Sequence, residues 1–334
     1  MKNLEGLLDS LVSDGAIEHI ALRVGRGDDI IYDTYRSADK RTLFDMASVT
    51  KIVAATSIAL IAIDRGLLSI DDTVGRFFRV PSAKREITIR HLLTHTFGIG
   101  HKSMLPSRST YEDIQNYILS IPLDIPIGSD VRYSCPGYIL LGRIIEELFG
   151  DRLDRLFYSL VSEPLGMISS RFLPDRALDI VNANLSEEER GLVNDYNCRY
   201  LGGVAGNAGL FSNIEDMTRY AKMLLAKGAP IISRRTFDAA TKNYTADLGA
   251  SRGLGFLYVD GRYEQTGGLF ADGAIGHCGH TGQSVFVDPR SGLYAIILSD
   301  ATVCTEKRYG KEKYSEVKEM RARIHAAIKS DIEN

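Results

Sequence analysis

Strand-like runs in this 334-residue chain are confined to its two ends, and that distribution limits the fold more than any other feature. HIALRVGRGDDIIYDTYR (19–36) reads as two strands joined by a Gly-Asp-Asp turn, and GLGFLYVDG (253–261), SVFVDP (284–289) and LYAIILSD (293–300) supply the later strands. Over about 67–235 the signals are helical and loop-like, as in YILLGRIIEELFG (138–150) and MTRYAKMLLAKG (217–228), with few good strands. The expectation is an α/β (α+β) sandwich in which both termini build one antiparallel sheet flanked by helices. Residues 1–66 and 236–334 form it, and residues 67–235 are an inserted all-helical region. An active site is expected between the two parts.

Within that frame Ser48-Val49-Thr50-Lys51 is an SxxK motif, and on a helix a spacing of three sets both side chains on one face, where the amine can take the serine proton. The motif alone is weak, since a chain of this length carries about one by chance, and Ser315-Glu316-Val317-Lys318 is a second match. Context separates them. Ser48 opens the long apolar helix KIVAATSIALIAIDRG, ending at Gly66, just after the Phe44-Asp45-Met46-Ala47 turn, whereas Ser315 lies in a charged helix of about 310–330 that reads as a solvated face. A serine at a helix N-terminus also meets unpaired amides and the positive end of the dipole, which favour an alkoxide and later an oxyanion.

The charge balance narrows the partners. A net charge of −3 with acids and bases interspersed shows neither a nucleic-acid nor an anionic-membrane footprint, so a small molecule or peptide is the expected substrate. Glu5, Asp9, Asp14 and Glu18 interrupt the N-terminal segment where a secretory signal needs an apolar core, and no later segment reaches transmembrane length, so the chain as written reads as cytoplasmic. Cys135, Cys198, Cys278 and Cys304 are far apart without a CxxC pair, which makes free thiols the default. Oligomeric state leaves no mark in the sequence.

FDMASVTK (44–51), RHLLTHTFGI (90–99), YSCPGYILLGRIIE (133–146), EPLGM (163–167) and LGGVAGNAGLFSNIEDM (201–217) follow in order. This series resembles the serine β-lactamase and penicillin-binding-protein family, nearest its class C-like branch with the related esterases and D-aminopeptidases, from about residue 18 to 300. The resemblance implies a β-lactamase/transpeptidase-like fold with Ser48 as nucleophile and Lys51 as its partner. Tyr133 matches the tyrosine of the family's Tyr-x-Asn motif, but Cys135 stands where relatives carry the asparagine that binds a substrate amide. A nearby lysine ammonium favours the phenolate, so Tyr133 coupled to Lys51 is the expected base.

The family's third element, a Lys or His followed by x-Gly, has two overlapping matches here, His277-Cys278-Gly279 and His280-Thr281-Gly282. The first is preferred, because Asp288-Pro289 closes the strand beyond it as in relatives. On that register His277 orients Tyr133, and the N–H groups of His280 and Ser48 form an oxyanion hole; on the other the second donor is Gln283. The His277–His280 stretch also offers zinc-type ligands, but adjacent residues on a strand face opposite ways, so a metal site is not expected there; hydrolysis through an acyl-serine needs no metal and no organic cofactor. Whether Cys135 meets Cys278 across the cleft is not legible. His91 and His95 are read as structural.

Gly249-Ala250-Ser251-Arg252-Gly253 matches a GxSxG nucleophile elbow, but it lacks the strand before and helix after that such a serine requires. The function expected is therefore hydrolysis through an acyl-enzyme on Ser48, of a small ester or a D-amino-acid peptide or amide. β-Lactamase or DD-carboxypeptidase activity is demoted by the loss of the asparagine, and a slowly acylating binder or sensor is the alternative of another class. Substrate choice is assigned to the 101–113 and 183–208 stretches.

Overall fold

The computed structural model describes residues 1–100, 110–261 and 263–334. Nine strands occur among them, β1 (Ile20–Arg26), β2 (Asp29–Arg36), β3 (Phe44–Asp45), β4 (Arg171–Phe172), β5 (Leu210–Ser212), β6 (Leu257–Tyr258), β7 (Ile275–Cys278), β8 (Ser284–Asp288) and β9 (Leu293–Ser299). Six form one antiparallel sheet in the order β2-β1-β9-β8-β7-β6. The first hairpin thus pairs with the last strand, Ile20 opposite Ser299 and Arg26 opposite Leu293, as the expected joining of the ends requires.

Every residue of β8 and β9 is buried, because the sheet is covered on both faces. Helix α1 (Lys2–Ser13) and the C-terminal helix Tyr314–Glu333 pack over one face, where Leu4, Leu8, Leu22, Val24, Phe286, Ile297, Met320 and Ile324 share a core. The alternate residues Ala21, Val285, Val287, Ile296 and Leu298 point the other way, into the core built with the nucleophile helix and the middle of the chain.

Three expectations need correction. The 67–235 region is not all-helical: β4 and β5 lie within it and pair with β3 in a second sheet of order β3-β5-β4. The 253–261 segment is strand only at Leu257–Tyr258, because Gly253 and Gly255 serve close approach instead. A Cβ at Gly253 would lie 2.7 Å from the Ala240 carbonyl, and Gly255, at φ +88°, has Thr56 Oγ1 2.2 Å from where a Cβ would sit. The helix after Ser48 is also not uniform. It opens as a 3-10 turn over Ala47–Val49, loosens to a π-helical stretch over Lys51–Thr56, and becomes α2 (Ser57–Asp64). The Ile52 carbonyl, freed from the regular ladder, accepts from Ser57 Oγ and Tyr220 Oη, both at 2.9 Å.

By length and composition one stretch, Ala47–Asp64, does reach membrane-spanning size, with mean hydropathy 1.6; 83% of it is buried inside the protein, where it is the core helix. Of the two stretches assigned to substrate choice, residues 101–109 lie outside the described residues.

Candidate active site

Ser48 is placed by a clamped turn. β3 is tied to β5, and the Asp45 carboxylate, 1% exposed, accepts the N–H of Ala47 at 2.8 Å and that of Asn194 at 2.7 Å. Burial pushes the Asp45 carboxyl up to about 6, against the pull of these two amides. The Asp45 carbonyl accepts from Thr281 Oγ1 at 2.9 Å and from Gln283 Nε2 at 2.7 Å, which fastens the same turn to the β7–β8 loop. Ala47 is held at φ +44°, a left-handed conformation that costs a residue with a Cβ about 1–2 kcal/mol. The 3-10 turn that follows eclipses i and i+3, and so stacks Lys51 over Ser48.

Lys51 Nζ lies 3.0 Å from Ser48 Oγ, 2.9 Å from the Asn207 carbonyl and 3.5 Å from Cys135 Sγ, a set of three acceptors that suits an ammonium. Burial disfavours that charge, but the facing Cys135 and Tyr133 outweigh burial and hold Lys51 above the ordinary lysine range. Tyr133 Oη is 2.6 Å from Ser48 Oγ. Its ring packs on His95, centroids 4.6 Å apart, and the His95 Nδ1 accepts the Ser134 N–H at 3.1 Å. Ser134 in turn caps the Cys135–Phe149 helix by accepting the Gly137 N–H. Burial pushes the Tyr133 phenol up to about 12, overriding the nearby Lys51 ammonium. The expected drop toward a phenolate is thereby corrected: desolvation of the phenolate wins, and the resting pair is ammonium and phenol.

His277 is on β7, 2% exposed, its ring centroid 6.3 Å from that of Tyr133. Its Nδ1 is 2.8 Å from the Cys278 carbonyl, and its Nε2 bonds to no described protein group, so it contacts Tyr133 by packing rather than by a hydrogen bond. Burial, reinforced by Arg252 and Lys51, holds His277 well below the ordinary histidine range and therefore neutral. His280 lies past the end of the strand. Its ring turns to Glu312 Oε2 at 3.0 Å and stacks on Tyr314 at 5.0 Å, while the backbone one residue earlier lies beside the nucleophile turn. Gly279 makes that approach: a Cβ there would be 2.8 Å from the Met46 carbonyl and 3.4 Å from Ala47 Cβ.

Neither Cys278 nor Cys135 is in a disulfide among the described residues, and Cys278 Sγ pairs with Tyr263 Oη at 3.3 Å. His277, Cys278 and His280 do not converge on a common point. Among the described residues the group close enough to share a cation is Glu18, His19 and Asp300, none of which lines the cleft. Ser251 donates to the Asp260 carboxylate from an irregular segment without the strand and helix of an elbow. Ser315 is exposed on the C-terminal helix. His91 caps the short Ile89–Leu93 helix with Thr88, the structural role expected.

Ser48, Tyr133, Cys135, His277 and His280 line one cleft of about 710 Å3, together with residues that sequence reasoning missed. Arg252 sits there with its guanidinium carbon 5.9 Å from the Tyr133 ring centroid and its Nη1 buried without an acceptor among the described residues. Asn207, inside the GGVAGNAGLF segment, supplies the carbonyl under Lys51. Asp45 had no local signal, because its role depends on amides brought from Ala47 and from Asn194.

A covered antiparallel sheet beside a helical region, with serine, lysine and tyrosine meeting in the cleft between, defines a class, the β-lactamase and penicillin-binding-protein fold. The family model described as Beta-lactamase matches residues 4–314; the chain belongs to that family, and with it to the hydrolases. A putative D-alanyl-D-alanine carboxypeptidase of Escherichia coli O157:H7 is 28% identical over 303 residues, 78% of this chain and 69% of its own. The esterase EstB of Burkholderia gladioli is 27% identical over 361 residues, 89% of each chain. EstCE1, described as a hydrolase with promiscuous acyltransferase activity, shares the fold with a TM-score of 0.77 at 20% identity over 98% of each chain.

Proposed function

We propose that this hydrolase works through an acyl-enzyme on Ser48 and cleaves a small ester or a D-amino-acid peptide or amide. The observation that carries the reading is the placement of Lys51 Nζ at 3.0 Å and Tyr133 Oη at 2.6 Å on the same serine oxygen. In the reaction Ser48 Oγ attacks the substrate carbonyl as its proton passes to Tyr133, in the minor phenolate form that the Lys51 charge makes accessible. Tyr133 then gives the proton to the leaving group. The N–H groups of Ser48 and His280 receive the negative oxygen. Water repeats the sequence on the acyl group and frees Ser48.

Arg252 narrows the substrate: a guanidinium nitrogen buried in the cleft, with no acceptor among the described residues, favours substrates that bring a carboxylate. The raised Tyr133 favours one second reading, a protein that acylates slowly and holds its ligand. Intact-mass analysis after a fluorophosphonate and, separately, after penicillin, with peptide mapping and a Ser48→Ala control, tests both. An adduct on Ser48 that clears with steady release of product supports the hydrolase. A penicilloyl adduct that persists while simple esters are not turned over supports the binder, and labelling at Ser251, or nowhere, overturns both.

A further inference from the structure

Arg321, on the C-terminal helix, is 0% exposed and meets no carboxylate among the described residues. Its Nη1 donates to Gln265 Oε1 at 2.9 Å and lies 3.4 Å from Tyr314 Oη; its Nη2 donates to the Gly279 carbonyl, and its Nε reaches the Gly282 carbonyl at 3.5 Å. A buried cation satisfied only by neutral oxygens is an expensive way to anchor a helix. The bond to Gly279 gives it a further use. The Gly279 carbonyl and the His280 N–H are the two ends of one peptide group. A donor on the oxygen draws electron density through the amide and strengthens the N–H as a donor. A positive charge behind that peptide also interacts more strongly with a substrate oxygen once it becomes negative. The peptide is fixed from both sides, since Gly279 N–H donates to the Gln283 carbonyl at 2.8 Å and Thr302 Oγ1 donates to the His280 carbonyl.

We infer that Arg321 is a positioning residue of the oxyanion site, holding and polarising the Gly279–His280 peptide from behind so that the His280 N–H meets the developing negative charge on the substrate. This rests on the proposed acylation of Ser48 with the His280 N–H as a donor. Nothing in the reaction passes through Arg321 itself, which touches neither substrate nor nucleophile.

The test measures three quantities on the purified chain and its Arg321→Lys and Arg321→Met variants: the acylation rate with a nitrophenyl ester, the infrared stretching frequency of an isotope-labelled acyl carbonyl on Ser48, and the Tm. Loss of one oxyanion donor lowers kcat by about 10²–10³, so weakening one by removing Arg321 should slow acylation by roughly 10- to 100-fold. KM should change little. The acyl carbonyl frequency should rise toward that of an unpolarised ester in Arg321→Met, with Arg321→Lys in between. Variants that fold with a lower Tm but keep the wild-type rate and carbonyl frequency would show a purely structural arginine and overturn the inference. Should Arg321→Met not fold, Gln265→Met releases the guanidinium from one anchor without removing its charge. It should shift the frequency in the same direction by a smaller amount, and an unshifted band overturns the inference. If the wild-type chain carries no acyl group on Ser48, the proposed function and this inference fall together; if the wild-type chain acylates and the Arg321 variants match its rate and carbonyl frequency, the function stands and the inference alone falls.

Discussion

The two walls of the cleft do their work with different parts of the chain. On the helical wall Ser48, Lys51 and Tyr133 bring side-chain atoms within 3.0 Å of one oxygen, and the backbone below them only holds these in place. On the sheet wall His277 packs on Tyr133, but the side chains that follow it turn elsewhere: His280 to Glu312, Thr281 to the Asp45 carbonyl, Cys278 to Tyr263. What that wall presents to the nucleophile is backbone, brought close by a glycine and backed by Arg321. The contrast teaches that residue identity should matter most on the first wall and residue shape on the second.

The largest expected effects therefore lie on the helical wall. Ser48→Ala and Lys51→Met should each lower turnover by about 10⁴- to 10⁶-fold, measured with a nitrophenyl ester, and the two together should cost little more than either alone. Additive losses would break the comparison, because they would mean the two groups act separately.

Tyr133→Phe comes next, with a loss of about 10²–10⁴-fold expected from removing an acid–base group. It also has a pH signature. Tyr133 is active as a base only when deprotonated, and burial pushes its pKa up to about 12, so the acylation rate should keep climbing with pH across the alkaline range in which the chain stays folded. The phenylalanine variant should lose that climb. A wild-type rate that levels off near pH 7 would show that another group takes the serine proton.

How well each wall could be read from sequence follows the same division. The serine and lysine are three residues apart, so helix geometry alone sets them together, and Tyr133 is recognisable by its place in a familiar series. The strands β8 and β9 were legible because burial on both faces leaves continuous apolar runs. β4 and β5, at two and three residues, are too short to leave a period. Arg321 was hidden for a more instructive reason: it sits in a helix whose Lys, Glu and Arg content reads as a solvated face, and its burial depends on carbonyls of Gly279 and Gly282 about 40 residues earlier in the chain. Helical periodicity carries no record of such partners. The Tyr133 proton affinity is hidden in the same way, since the Lys51 charge is visible in the motif and the depth of burial is not.

On the sheet wall Gly279→Ala probes shape. The new Cβ would lie 2.8 Å from the Met46 carbonyl and 3.1 Å from Gln283 Cβ, so the loop must withdraw from the nucleophile turn. Overpacking of this kind costs about 1–3 kcal/mol of stability, read from chemical denaturation. Turnover should fall at the same time, by roughly tenfold for each 1.4 kcal/mol of lost oxyanion stabilisation. A variant with normal turnover would mean that the approach of Gly279 to Met46 does not set the position of the His280 N–H.

The smallest expected effect distinguishes the walls by acid. His95 lies behind Tyr133, and His277 and His325 lie on the sheet side; burial holds all three below the ordinary histidine range, His325 at about 4. In the unfolded chain each takes a proton near 6.5, so acid favours unfolding, and the stability they lend at neutral pH is lost as pH falls below about 6.5. Between pH 6.5 and 5.5 each should forfeit about 1 kcal/mol. Asp45 works in the opposite sense. Its folded pKa of about 6 exceeds the ordinary aspartate value, so the folded state takes up its proton first and gains somewhat less than about 1 kcal/mol over the same interval. These four groups together lose about 2 kcal/mol; His19, raised by its hydrogen bond to Asp300, works against that loss and His91, lowered by burial, adds to it, and urea denaturation at the two pH values reads the balance. His95→Asn and His325→Asn should each flatten the slope by about a third of the histidine contribution. The first variant should also slow acylation, because His95 packs directly on Tyr133, and the second should slow it less, because His325 is one step removed, its Nδ1 held by the Arg321 and Gln265 carbonyls. Equal slowing by the two would break the division into a wall of side chains and a wall of backbone.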